Sequence, residues 1–354
     1  MSENKKKLYP FRFKKISEGS DIDKKVNSSV EQYKETYNIA DLGYIDSEVD
    51  NGWLSGSTIS DIMETYIDRI VGDNIYSFYG RQFPLQVKWI EVNGSMPLMV
   101  CPNDEIASQR YDALGKKKLW YVVDAASDAK IYLGFEKGVS AEELYNKCIK
   151  GNIKEDLHAI NLKPGQSFLI LPGTVHSLSG KMQILEISES SNLDLNICSW
   201  KPAGESGELN IEAAIDFVET GRCDYAYKQS SLNNNDEGYK EQLACEKEFQ
   251  VTLFHLSDAI HINTENTGSF FIYTCTSGEA ELRYSESKEV NKECGSSILL
   301  KSGDSVLVPA EIQDFYILPR ATGTTVIEAY IPYIEEDDPY INKDVQPFLE
   351  GEES

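Results

Sequence analysis

The chain has 354 residues and 41% hydrophobic content, enough for one large core or two smaller ones. It carries 34 Lys and Arg against 58 Asp and Glu, a net charge of -24, which excludes nucleic acid and anionic membrane as natural partners. No apolar run reaches membrane-spanning length, and the charged opening "MSENKKKLYPFRFKK" has no signal-peptide core, so a cytoplasmic protein is expected. The cysteines number seven and lack a CxxC pair, which argues against a disulfide framework. Histidine is limited to His158, His176, His255 and His261, which rules out a histidine-rich metal centre.

In chain order, residues 1 to about 55 read as polar and irregular. "STISDIMETYIDRIVG" places Ile59, Ile62, Met63, Tyr66, Ile67 and Ile70 at helical spacing, with Ser57 or Thr58 to cap the helix. "FPLQVKWIEV", "KLWYVVDA" and "AKIYLGF" read as strands. "SAEELYNKCIKG" reads as a short helix between Ser140 and Gly151, and "GNIKEDLHAI" as a further helical piece. From Leu162 short apolar strands alternate with Pro and Gly turns, residues 208 to about 227 look helical, "SLNNNDEGYKEQ" reads as a connector, and strands return from Gln250. The segment "KPGQSFLILP" from Lys163 is echoed by "KSGDSVLVP" from Lys301, which points to two related β lobes.

Four residues attract attention as chemistry. His176 follows a turn in "LPGTVHSLSG", and Cys101 in "VCPNDE" offers a thiolate, a good zinc ligand. Lys116 and Lys118 sit in "GKKKLW", the one dense lysine cluster beyond the N-terminus. Glu186 and Glu189 in "LEISES" fall on opposite faces of any regular strand and read as a solvated strand end.

The blocks "YPFRFKKI", "NGWLSGSTISDI", "GRQFPLQVKWIEVNGSMPLMVCPNDEIA", "GKKKLWYVVDAASDAKIYLGF", "LKPGQSFLILPGTVHSLSG", "ILEISESSNLDLNICSW" and "GDSVLVPA" resemble, in order and spacing, the type I mannose-6-phosphate isomerases of the cupin superfamily. The resemblance implies a mainly β fold of two cupin-like jelly-roll β-barrel lobes with an attached helical region. The lobe with the metal-site positions would span 1–200, a helical segment and connector 201–245, the second lobe 246–335 and an acidic tail 336–354. It also implies zinc as cofactor, and conversion of mannose 6-phosphate to fructose 6-phosphate through an enediol.

The family's ligand positions fall on Met99, Cys101, Lys118 and His176, of which His176 alone keeps the family residue and Cys101 is a substitute thiolate. Lys116 matches a family lysine, and Asn196 stands where the family has an arginine. An ammonium at Lys118 repels a zinc ion or takes over its charge. The expectation is therefore an isomerase relative with a degenerate site, set against a non-catalytic sugar-phosphate-binding, regulatory or structural protein. Its partners would be a phosphorylated sugar or another protein.

Overall fold

The computed structural model describes residues 6–19, 32–200, 209–222, 228–229, 239–285 and 296–334. The acidic tail 336–354 lies outside them. The chain divides into two compact units: residues 15–42 with 85–234, and residues 1–14 with 43–84 and 235–354.

The first unit is organised by one long strand, His176–Glu189. It pairs antiparallel with Leu85–Ser95 without a register shift, from Leu85 opposite Glu189 to Ser95 opposite Ser179. Its other edge is shared by Lys118–Ala125 and Lys130–Phe135. The resulting 11-stranded sheet runs Ile16–Gly19, Tyr33–Ile39, Leu85–Ser95, His176–Glu189, Lys118–Ala125, Gln166–Ile170 and Lys228–Gln229. Leu98–Val100 with Leu195–Cys198, and Lys130–Phe135 with Leu157–Asn161, branch from that path.

The second unit holds a 5-stranded and a 4-stranded sheet. Tyr273, Cys275 and Val326 of the former share one core with Leu282, Leu300, Phe315 and Ile317 of the latter.

The jelly-roll expectation is corrected here. A barrel closes only when its first and last strands pair. In the first unit Ile16–Gly19 and Lys228–Gln229 end the path without pairing each other, and both sheets of the second unit are open paths. The fold is mainly β, but among the described residues its sheets do not close.

Two helices form where their signals stand. Ile59–Val71 begins with a reciprocal Thr58–Asp61 capping box and buries Ile59, Ile62, Met63 and Ile70. Ala141–Lys150 has the same device in Ser140 and Glu143, and ends on left-handed Gly151. Other expectations fail for want of local signal. Residues 16–19 and 33–39 are strands, because the second of them pairs with Leu85–Ser95. "GNIKEDLHAI" gives one short helical turn, Ile153–Asp156, and then the strand Leu157–Asn161. The helix at 208–227 shrinks to Ile211–Ala214 within the described residues, with 223–227 outside them. The supposed connector enters the strand Tyr239–Cys245.

The two echoed segments fold alike. Gly165 and Gly303 take φ of 84° and 94°, which a side chain rarely tolerates. Each turn is tied by a side chain on the lysine amide that opens it: Lys163 N–H donates to Gln166 Oε1 at 2.8 Å, and Lys301 N–H to Asp304 Oδ2 at 3.0 Å. The strands Gln166–Ile170 and Ser305–Val308 follow.

Candidate functional site

Successive side chains of a strand point to opposite faces, so alternate residues share one. The register of the first unit aligns these faces into rows. Ile90, Ile184 and Val122 form one row, Lys88, Glu186 and Trp120 the next, and Gln86, Ser188 and Lys118 the last. Along the inner face of the sheet an apolar core thus passes, within one row, into a cluster of charges. Cys101 and Asp194 flank this cluster from outside the strands: Cys101 follows Leu98–Val100, and Asp194 precedes Leu195–Cys198.

Glu186 forms the floor and is fully buried. It accepts from Trp120 Nε1 at 2.6 Å and Ser188 Oγ at 3.1 Å, and faces Lys88, Lys118 and Lys116 at 3.5, 3.8 and 3.9 Å. Asp194 takes Lys116 Nζ on Oδ2 at 2.5 Å and Lys118 Nζ on Oδ1, with Lys88 Nζ at 3.8 Å. The Cys101 thiol donates to Asp194 Oδ1 at 3.1 Å. Glu35 meets Lys88 from the neighbouring strand at 2.7 Å. Three ammonium groups are therefore matched by Glu186, Asp194 and Glu35.

His176 lies beside them with one tautomer fixed. Nδ1 lies 2.9 Å from the Thr174 carbonyl, which only accepts, so Nδ1 carries the proton. Bare Nε2 then accepts from Lys118 Nζ at 3.2 Å. Burial, and then Lys118, push its pKa down to about 3.

Burial opposes ionisation of both carboxylates, but Lys118, Lys88 and Lys116 hold Glu186 down to about 2, and the same lysines hold Asp194 well below the usual carboxylate range. Burial also penalises Lys118 and Lys88. Burial is the largest single influence on each, but the neighbouring anions together outweigh it, led by Asp194 at Lys118 and by Glu186, Glu35 and Asp194 at Lys88, so both are raised above 10.5. Burial, followed by Asp194, pushes the Cys101 thiol up to about 12, which keeps it protonated and poorly nucleophilic.

These shifts fix a pH profile. His176 titrates at 6.5 when unfolded and about 3 when folded, and Glu186 at 4.5 and about 2. In acid the unfolded chain therefore binds protons that the folded chain refuses, and stability falls as pH drops below 6.5. The raised lysines contribute stability below 10.5 that is lost above it. Urea unfolding across the pH range should show a plateau between these limits with a steep acid limb. A midpoint unchanged from pH 7 to 4 would contradict a neutral, buried His176.

No protein-family profile matches the chain. Among curated proteins, ManA of Bacillus subtilis, a mannose-6-phosphate isomerase, is 29% identical over 177 residues, covering 49% of this chain and 54% of ManA. The mannose-6-phosphate isomerase of Streptococcus mutans is 31% identical over 143 residues, 40% of this chain and 45% of that protein. The chain spans about half the length of these curated relatives. YvyI of Bacillus subtilis is 25% identical over 285 residues, 79% of this chain and 84% of its own length. Among solved structures, the mannose 6-phosphate isomerase from Bacillus subtilis superposes with a TM-score of 0.71 at 20% identity, covering 91% of this chain and 99% of that one. The chain resembles the mannose-6-phosphate isomerases in part of its sequence and shares their fold. A phosphomannose isomerase from Salmonella typhimurium shares the fold at a TM-score of 0.66 and 14% identity, over 84% of this chain and 90% of that one.

The metal-site question turns on Lys118. Donor atoms of Cys101, His176 and Asp194 lie within 4.8 Å of one another, which by itself suits a metal ion. Each donor is already engaged. Lys118 gives protons to His176 Nε2 and Asp194 Oδ1, and the Cys101 thiol keeps its proton for Asp194. The buried ammonium is bonded to two of the three donors and sets a positive charge beside any incoming ion. The residues present do not fit zinc.

Of the residues singled out from sequence, Cys101, Lys116, Lys118 and His176 meet in this one cluster. Met99 lies across the strands from His176 and is buried in the apolar core beside it. Asn196 pairs with Met99 on the neighbouring strand, and its carbonyl accepts from Asn210 N–H at 2.6 Å. Among the described residues no hydrogen bond joins Asn196 to the cluster. Glu186 is no solvated strand end: it and Glu189 are both buried, and Glu189 accepts from Lys117 N–H at 2.7 Å. His261 is exposed, paired with Asp314 at 3.0 Å and stacked on Tyr316. Sequence reasoning missed Lys88 and Asp194. For Lys88, a lysine inside the apolar run "FPLQVKWIEV" was an available signal.

Proposed function

We propose that this chain is a metal-independent relative of the mannose-6-phosphate isomerases that binds a phosphorylated sugar and does not isomerise it. The observation that supports this reading is the Lys118 ammonium bonded to His176 and Asp194, with the Cys101 thiol on the same Asp194 oxygen. Moving a proton between neighbouring carbons of a sugar needs a base tuned near neutrality and a fixed electrophile. His176, with its pKa at about 3, is a weak base, and its lone pair is already taken by Lys118.

A polyol still has groups to meet. Gln86 donates its amide to Ser188 Oγ at 2.9 Å, which leaves Oε1 buried without a partner. That acceptor suits a ligand hydroxyl. The buried free thiols Cys101, Cys148, Cys198 and Cys275 suit a reducing compartment, and we place the protein in the cytoplasm.

The test is a coupled assay of mannose 6-phosphate conversion to fructose 6-phosphate with added Zn²⁺, run beside ManA, together with thermal melts in mannose 6-phosphate. The expected result is background turnover, with a melting temperature that rises with ligand. Zinc-dependent turnover that disappears in His176→Ala would overturn the reading.

A further inference from the structure

Asp194 is more solvent-accessible than the lysines it meets and than Glu186. Its side chain is 18% exposed, against 4% for Lys88, 2% for Lys116, 1% for Lys118 and 1% for Glu186. It lies outside the regular strands, after Ser190 and Ser191, whose hydroxyls are fixed to the Asp41 and Leu114 carbonyls at 3.0 and 2.8 Å. Four groups converge on this one carboxylate. Lys118 and the Cys101 thiol serve Oδ1, and Lys116 and the more distant Lys88 face Oδ2. Such a fan of donors around a small anion is how proteins hold oxyanions, and here the anion is supplied by the chain itself.

We propose that Lys88, Lys116, Lys118 and Cys101 form an oxyanion-binding cradle whose resident occupant is the Asp194 carboxylate, and that a phosphate monoester displaces it. The inference rests on the metal-free binding reading above and names where the phosphoryl group goes. Without Asp194, three ammonium groups face only Glu186 and Glu35, and the excess positive charge invites an anion. The side chain needs only to turn toward the solvent it already touches, while Ser190 and Ser191 hold the backbone. Glu186 stays beneath as the permanent counter-charge. Mannose 6-phosphate would present its phosphoryl group to the cradle and its hydroxyls to the neighbouring Gln86 acceptor.

The experiment uses the full chain and inorganic phosphate as probe, in EDTA, against chloride at equal ionic strength. Phosphate affinity is measured by isothermal titration and by melting temperature. If the displaced form holds a tenth of the molecules or less, removing the resident carboxylate tightens apparent affinity at least about tenfold. Asp194→Ala should therefore bind phosphate at least about tenfold more tightly than wild type, and Lys116→Met in that background should abolish the gain. Should Asp194→Ala fold only with phosphate present, that too supports the cradle. Should it fold in neither buffer, Asp194→Asn decides by the same comparison, since it keeps the shape and loses the charge. Equal affinity in variant and wild type, or a gain that survives Lys116→Met, overturns the proposal. The isomerase assay is independent of this outcome, so a failure here leaves the metal-free reading standing and moves the phosphate elsewhere.

Discussion

Glu186→Ala should cost about 3–5 kcal/mol in urea unfolding at neutral pH, the typical penalty for removing one partner of a buried ion pair. Glu186 is 0% exposed and faces Lys88, Lys116 and Lys118 within 4 Å. Its removal leaves those ammonium groups with Asp194 and Glu35 alone, and deprives Trp120 Nε1 of its acceptor. Glu186→Gln keeps the shape and an acceptor for Trp120, and should lose less. A loss below about 1 kcal/mol for the alanine variant would mean that the lysines are not held charged at this depth.

The second large effect is a gain. Lys118→Glu removes the ammonium from among Cys101, His176 and Asp194 and adds a carboxylate donor at the same point. The charge balance then lacks the equivalent of a cation, which a divalent ion supplies. Zinc should stabilise this variant, by about 2.7 kcal/mol at a hundredfold excess over its dissociation constant, while leaving wild type unchanged. The measurement is the melting temperature in zinc against EDTA, with bound zinc determined after desalting. Equal zinc stabilisation of wild type would show that Lys118 yields its place to the ion, and would remove the basis of the metal-free reading. A variant that folds yet takes no zinc would mean that the donors cannot converge even when freed.

The sequence made some of this legible through local signals. The capped helices at Ile59–Val71 and Ala141–Lys150 carry their own boundaries in Thr58, Asp61, Ser140, Glu143 and Gly151. His176, Cys101 and Lys118 could be aligned because the resemblance supplied positions for them. Lys88 and Asp194 could not. Lys88 reaches the cluster only through the pairing of residues about a hundred positions apart, Lys88 with Glu186. The strand that carries it is buried on both faces over Leu85–Ile90, so the polar–apolar alternation that would reveal its inner face is erased. Asp194 sits in a loop, where spacing has no period. Strands were readable from apolar runs between Gly and Pro turns, but whether a sheet closes depends on edge strands such as Ile16–Gly19 and Lys228–Gln229, whose few residues announce no partner.

The pairing of Lys88 with Glu186 across two neighbouring strands also constrains how this sequence can change. Loss of either charge alone unbalances the whole buried network, since Lys88 also meets Glu35 and Asp194 and Glu186 also faces Lys116 and Lys118. The same holds for Lys118 and Asp194. Each single step away from the network therefore crosses a deeper valley than a charge substitution on the surface of the same protein.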